Sequence, residues 1–227
     1  MIIETERLLI RPWRFGDAPR VLDIQSRMEV IKWLGETHPV PMQNLTQARE
    51  RIARYNARSQ QPPLGCWAIE VRETGVVAGS VLLLKLPKAE HGEVEIGWHL
   101  HPDSWGHGVA TEAAAVVLAH ALASGLPEVL ALTHVGNLPS QGVMRRIGME
   151  PLGVVDKWYD GPSLVFRADH RSAQRSVDSS GTPETPRGSV RGESGTLPDV
   201  PERDPGEAQA HDHDRIPHEE VRPLRRR

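Results

Sequence analysis

The chain has 227 residues with 27 Lys and Arg against 30 Asp and Glu, a formal charge of −3 that supplies no overall drive toward nucleic acid or an anionic membrane. A single cysteine, Cys66, excludes an internal disulfide and any multi-thiolate metal centre, so no metal is expected and a reducing, cytoplasmic compartment fits. The first residues, Met1-Ile2-Ile3-Glu4-Thr5-Glu6-Arg7, lack the apolar core of a signal peptide, and no run of about 18 apolar residues suggests a membrane span.

Residues 6–13 read as a strand, with Leu8 and Ile10 on one face, Arg7, Leu9 and Arg11 on the other, and Pro12 limiting it to an edge or an end. Asp17-Ala18-Pro19 then opens a short helix as N-cap and first turn, carrying Val21, Leu22 and Ile24, and a second short one follows through Val30, Ile31 and Leu34. From Asn44 to about Ser59, Ala48, Ile52 and Tyr55 recur at helical spacing until Pro62-Pro63-Leu64-Gly65 stops them. Residues 66–72 and 76–84 are apolar and flank Glu73-Thr74-Gly75, which predicts an antiparallel hairpin. After a polar loop, residues 93–100 alternate: Val94, Ile96, Trp98 and Leu100 take one face, Glu93, Glu95, Gly97 and His99 the other.

A helix with Val109, Ala113, Val116, Val117 and Ala121 on one stripe follows, closed by Gly125 and Pro127. Residues 128–134 make another short strand, Asn137-Leu138-Pro139-Ser140 opens a helix with Val143, Met144 and Ile147 inward, and Gly148 ends it. A last apolar run, residues 163–167, follows the turn Asp160-Gly161-Pro162. This order gives an α+β, or mixed α/β, single-sheet fold rather than a doubly wound repeat. From Arg171 the chain changes: 57 residues hold no Phe, Trp, Tyr, Met or Cys and only seven Val, Ile and Leu. That is too few to build a core, so residues 1–170 are expected to form one domain and residues 171–227 a disordered tail. Within the tail, His211-Asp212-His213-Asp214 could hold a metal weakly and Arg225-Arg226-Arg227 could touch RNA, but balanced charge and proline make a solvated linker the plainer account.

Trp105-Gly106-His107-Gly108-Val109 lies between a strong strand and a strong helix, where unpaired backbone N–H groups and the positive helix end meet residues without Cβ, the anatomy of an anion cradle. The third glycine of a dinucleotide fingerprint and the Gly-Lys-Ser/Thr of a P-loop are both missing, and a tight turn capping a helix would look the same. At these residues the sequence resembles the GCN5-related N-acetyltransferase (GNAT) superfamily, whose pyrophosphate loop, Gln/Arg-x-x-Gly-x-Gly/Ala, maps onto residues 103–108. Trp105 to Ala113, Thr5-Glu6-Arg7-Leu8-Leu9-Ile10-Arg11-Pro12 and the stretch from Asn137 to Met149 resemble its RimJ/RimL branch. The resemblance covers about residues 3 to 170. It implies a central, mostly antiparallel sheet flanked by helices, with a cofactor cleft between two splayed strands.

The resemblance further implies acetyl-CoA as co-substrate, held by Ser104, Trp105, Gly106, His107, Gly108 and Val109 at the pyrophosphate. Trp98, His99 and Leu100 would lie along the pantetheine arm, and Asn137 and Ser140 would reach the cofactor from the next loop. Asp103 departs from the motif's Gln or Arg and is expected to face solvent. Acetyl transfer needs a neutral amine, donors for the developing oxyanion and a proton for the thiolate. Glu95, whose pKa partial burial would raise, is the candidate base, and His99 shares its face about 13 Å along the strand, so one of the two is structural. An ordinary solvated or salt-bridged strand carboxylate is an equal reading of Glu95, and a plain strand residue is the favoured reading of His99. His134, Trp158 and Tyr159 are candidates for the acceptor pocket, with strand-end polarity and core packing as the alternatives. Met144 stands where some relatives place a proton-donating tyrosine. Cys66 has no base beside it in the sequence, which argues for direct transfer rather than an acyl-enzyme.

The expected function is therefore an acetyl-CoA-dependent N-acetyltransferase acting on a protein α-amine or a small-molecule amine. The alternative is a non-catalytic acyl-CoA-binding sensor or interaction module. The loops at residues 36–44 and 158–163 are expected to select the acceptor, and a homodimer is compatible with the resemblance.

Overall fold

The computed structural model describes residues 1–34, 38–159 and 161–170. Its strands are β1 (Ile3–Glu4), β2 (Leu8–Arg11), β3 (Gly65–Val71), β4 (Val77–Lys85), β5 (Val94–Leu100), β6 (Glu128–Thr133), β7 (Glu150–Val155) and β8 (Ser163–Asp169). They form one sheet in the order β1-β2-β3-β4-β5-β6-β8-β7. Neighbours are antiparallel except β5 and β6, which run parallel and share the single register pair Glu95 with Leu130. The expected mostly antiparallel α+β sheet with two splayed strands is thus present. The tail from residue 171, with its His-Asp and Arg clusters, lies outside the described residues, as do Asp160 and residues 35–37.

Helices α1 (Ala18–Gln25), α2 (Met28–Ile31) and α3 (Leu45–Arg58) come before β3, and α4 (Val109–Ala123) and α5 (Leu138–Arg146) bracket β6. The alternating strands feed two cores. Cys66 and Ala68 pack with Trp13, Ala18, Val21 and the Ala48, Ile52 and Tyr55 stripe of α3. On the opposite face Trp67, Ile69, Val94, Ile96 and Leu100 pack with Val109, Ala113, Val117 and Ala121 of α4 and Val143 and Met144 of α5. The period of two in the strands and the helical stripe therefore meet on the faces the sequence assigns them. A smaller cluster of Leu86, Leu130, Trp158 and Val165 covers the β6–β8 half of the sheet.

Capping follows local chemistry. The Asn44 side chain accepts from Gln47 N at 3.0 Å, satisfying one orphan donor of α3. Asn44→Ala is expected to lower the unfolding free energy by about 1 kcal/mol; a denaturant titration checks this, and an unchanged midpoint would show the cap to be dispensable. Asp17 behaves differently from its expected role. It occupies the N-cap position of α1, but its carboxylate receives Arg11 at 2.8 and 3.0 Å and the Arg14 N–H at 2.8 Å instead of the first turn.

Arg11 itself, expected on the polar face of its strand, is 3% exposed and also bonds Glu70 at 2.6 Å. Two carboxylates allow that face to close over a guanidinium. Two strands lack a sequence signal. β1 is two residues long, and β7 is exposed along most of its length, with Pro151 and Gly153 at a register shift, so neither carries an apolar period.

Candidate active site

The site begins where β5 leaves β6. His101 N donates to Ala78 O (2.8 Å) and Leu86 N to Glu93 O (2.9 Å), so the odd-numbered backbone groups of β5 face β4. The even-numbered groups, those of Trp98 and Leu100, then face the β6 side, where register pairing stops at Glu95. A fork results, one arm of which is a strand edge. His99, by contrast, turns its backbone toward Ser80 of β4 and so is not brought to the fork by its main chain.

Beyond the fork, a 3-10 turn (Pro102–Ser104) leads to Trp105, 46% exposed, whose indole N–H donates to Leu100 O at 3.0 Å. Gly106 (φ +79) and Gly108 (φ +76) take the left-handed conformation that favours glycine, and Gly108 is the N-cap of α4. The first ladder bond is Glu112 N to Gly108 O (3.0 Å), which leaves the N–H groups of Val109, Ala110 and Thr111 ahead of the ladder. A Cβ placed on Gly106 would meet no atom within 4 Å, and one on Gly108 would meet only Arg7 Nη2 at 3.5 Å, so both glycines border open space. Such a nest at a helix N-terminus suits an anion.

Asp103 is exposed, as expected, but it is not free. Both oxygens bond Arg20 of α1 at 2.8 Å, and Oδ1 also meets Ser104 Oγ (2.7 Å) and His101 Nδ1 (2.9 Å). Partial desolvation raises its pKa, but the bonds from Ser104, Arg20 and His101 outweigh it and hold the carboxyl down to about 2. The loop's misfit charge is thereby matched and tied to α1.

A second cation was missed. Arg7 donates to His107 O (3.1 Å) and, through Nε, to Glu112 (2.8 Å), whose other oxygen bonds Thr5, so the first-turn carboxylate of α4 is neutralised beside the nest. Arg7 and Glu112 both lie within the motifs quoted above, but no spacing rule links residues 7 and 112.

Glu95 points to the α1/α3 side of the sheet. Tyr159 Oη donates to Glu95 Oε1, and burial pushes the carboxyl up to about 7 against the lowering effect of that bond. Burial and the neighbouring Glu95 drive the Tyr159 hydroxyl above its ordinary value, so it stays a donor. His99 shares the face, but burial and then the Arg51 charge depress it to about 4, and its Nε2 meets Gln25 Nε2 at 3.0 Å. A neutral ring can accept from that amide, and of the two groups Glu95 is the one whose pKa lies near neutrality.

The remaining candidates separate. Trp158, expected at the acceptor pocket, packs in the third core cluster. His134 is exposed, just past β6, with its ring 5.8 Å from that of Trp33. Asn137 caps α5 by accepting from Ser140 N at 3.4 Å, placing both after β6 on the far arm of the fork. Met144 is 1% exposed in the core. Burial lifts the Cys66 thiol to about 11, which leaves little thiolate at neutral pH. Among the described residues no group of three or more His, Cys, Asp or Glu could hold a metal, and no helix is long and apolar enough to cross a membrane.

This combination of a forked mixed sheet and an anion nest at its open end defines an acyl-CoA-type transferase fold. Residues 7–150 match the family model of the acetyltransferase (GNAT) domain, and the chain belongs to that family; it is an acyltransferase. Over 158 residues it is 27% identical to the N-acetyltransferase YoaA of Bacillus subtilis (strain 168), covering 69% of this chain and 87% of YoaA. It is 29% identical over 152 residues to the N-acetyltransferase p20 of Bacillus licheniformis, 66% of this chain and 83% of p20. Among solved structures, a GNAT-family acetyltransferase from Bacillus anthracis superposes with a TM-score of 0.63 at 23% identity, over 75% of this chain and 99% of that one. Mycobacterium smegmatis RimJ, solved with a CoA disulfide, gives 0.62 at 20% identity over 76% and 89%. The RimJ/RimL enzymes thus share this fold.

Proposed function

We propose that the chain moves the acetyl group of acetyl-CoA directly to a primary amine, either a protein amino-terminal α-amine or the amine of a small molecule, with residues 1–170 forming the catalytic domain. The observation that carries this reading is Glu95, a carboxylate with a pKa of about 7, bonded to Tyr159 at the last point where β5 and β6 touch. When bound, acetyl-CoA supplies the acetyl group as a thioester open to attack by an amine.

Gly106, His107, Gly108 and Val109 fit a pyrophosphate through backbone N–H groups; Ser104 and Trp105, whose own N–H groups bond His101 O and Pro102 O, shape the entry to the loop, and Arg7 offsets the Glu112 charge beside it. The Trp98 backbone and the Leu100 N–H offer the strand edge to an extended arm, as in strand addition, the Leu100 carbonyl being taken by the Trp105 indole. Asn137 and Ser140 flank the other side. Ionised Glu95 accepts the amine's proton as the C–N bond forms and the C–S bond breaks. Met144 has no proton to give the departing sulfur, which leaves that proton to water. The buried, protonated Cys66 takes no acyl group.

Thiol release from acetyl-CoA across a panel of amines tests this. A rate that depends on the amine supports the proposal, and release indifferent to every amine contradicts it. The Tyr159 bond lowers the Glu95 pKa, so Tyr159→Phe raises it further. Because the base form is populated above that pKa, the acidic limb of kcat/KM is expected to move to higher pH; an unmoved limb would remove the pair from proton transfer.

A further inference from the structure

Behind the His99 end of the β5 polar face lies a cavity of about 280 Å³ whose polar lining is Gln25, Gln43, Gln47, Glu50, Arg51 and Arg54. Gln25 joins it to the site, since its amide also meets His99. Arg51 and Arg54 are one helical turn apart on α3, and neither has a carboxylate within ion-pair distance among the described residues. The Arg51 Nε is buried without a hydrogen-bond partner, a costly arrangement unless something else accepts from it. Arg11 and Arg20, by contrast, are fully paired within the fold.

With Glu50 as its one carboxylate, the lining carries a net positive charge and many N–H donors. That chemistry suits a carboxylate, and Val40, Pro41 and Met42 on the remaining wall can pack against the methylene stem that carries it. The distance sets what can deliver it. Glu95 and His99 are four residues apart on one strand, about 13 Å. A free amino acid carries its carboxylate within about 4 Å of its amine. An extended peptide covers about 3.3 Å per residue.

Building on the acetyl-transfer site above, the geometry points to this cavity as a specificity pocket for an acidic side chain, three to five residues along a peptide whose amino terminus lies at Glu95. Arg51 and Arg54 grip the acidic side chain, and the glutamine amides fill the remaining positions around it.

The test uses the full chain with saturating acetyl-CoA and two hexapeptides that differ only in Glu or Gln at residues three to five. The Glu peptide is expected to have a kcat/KM about tenfold higher or more, mainly through KM, with the advantage shrinking as salt is added. Arg51→Gln and the exposed-site variant Arg54→Gln should each bring the two peptides closer together, and Arg51→Lys should retain part of the preference. Equal kcat/KM on both peptides, or a preference that survives both glutamine variants, overturns the pocket. Free glutamate acetylated with the same dependence on Arg51 would overturn the peptide assignment. If neither peptide turns over, calorimetry of the CoA-loaded chain decides: tighter binding of the Glu peptide supports the pocket, and equal or absent binding overturns it. Failure of acetyl-CoA itself to bind would instead overturn the acetyl-transfer site.

Discussion

Glu95→Gln is expected to lower kcat about a hundredfold or more while leaving the Kd for acetyl-CoA within about twofold. The amide keeps the shape of the carboxyl but cannot take a proton, and its place at the register pair with Leu130 is set by the sheet rather than by its charge. Burial already pushes the native carboxyl to about 7, so the wild-type chain should show an acidic limb in kcat/KM near that pH. Activity rises as pH climbs through this value because only the ionised form accepts a proton. The Gln variant should lack the limb altogether. Stopped assays across pH with a fixed amine check both points, and a variant with wild-type kcat and an intact limb would exclude Glu95 from the mechanism.

Gly108→Val should raise the Kd for acetyl-CoA about tenfold or more. At φ +76 a side chain strains the backbone by about 1–2 kcal/mol, and a β-branched residue by more. Relief of that strain re-aims the N–H groups of Val109, Ala110 and Thr111, on which the anion nest depends. Stability will fall too, so a matched control is needed. Gly125, at φ +91 just past the other end of α4, supplies it: Gly125→Val strains the same helix about 25 Å away without touching the nest. Calorimetric titration of both variants separates the effects. Equal Kd values for Gly108→Val and the wild type would remove the loop from cofactor binding.

Elements with a buried face were legible in the sequence. The Ala48, Ile52 and Tyr55 stripe of α3 and the alternation of β5 correspond to real cores because burial selects residues at the period of the backbone. β7 was not legible, since it buries almost nothing and contains Pro151 and Gly153. The chemistry followed the same division. Glu95 and the glycine loop sit where strand phase and helix boundary place them. The groups that tune them come from far along the chain: Tyr159 on Glu95, Arg20 on Asp103 and Arg7 on His107 and Glu112. A period of two could put Glu95 and His99 on one face. It could not show that burial drives one pKa up and the other down, because the covering residues, Tyr159 and Arg51, belong to other elements.

Calorimetric titration of the purified chain with acetyl-CoA, CoA and ATP tests the central claim most directly. A nest that holds a pyrophosphate beside a strand edge that holds the pantetheine arm predicts micromolar binding of both CoA species and little of ATP, which has phosphates but no arm. Binding of ATP as tight as CoA, or no binding of either CoA species, would contradict it.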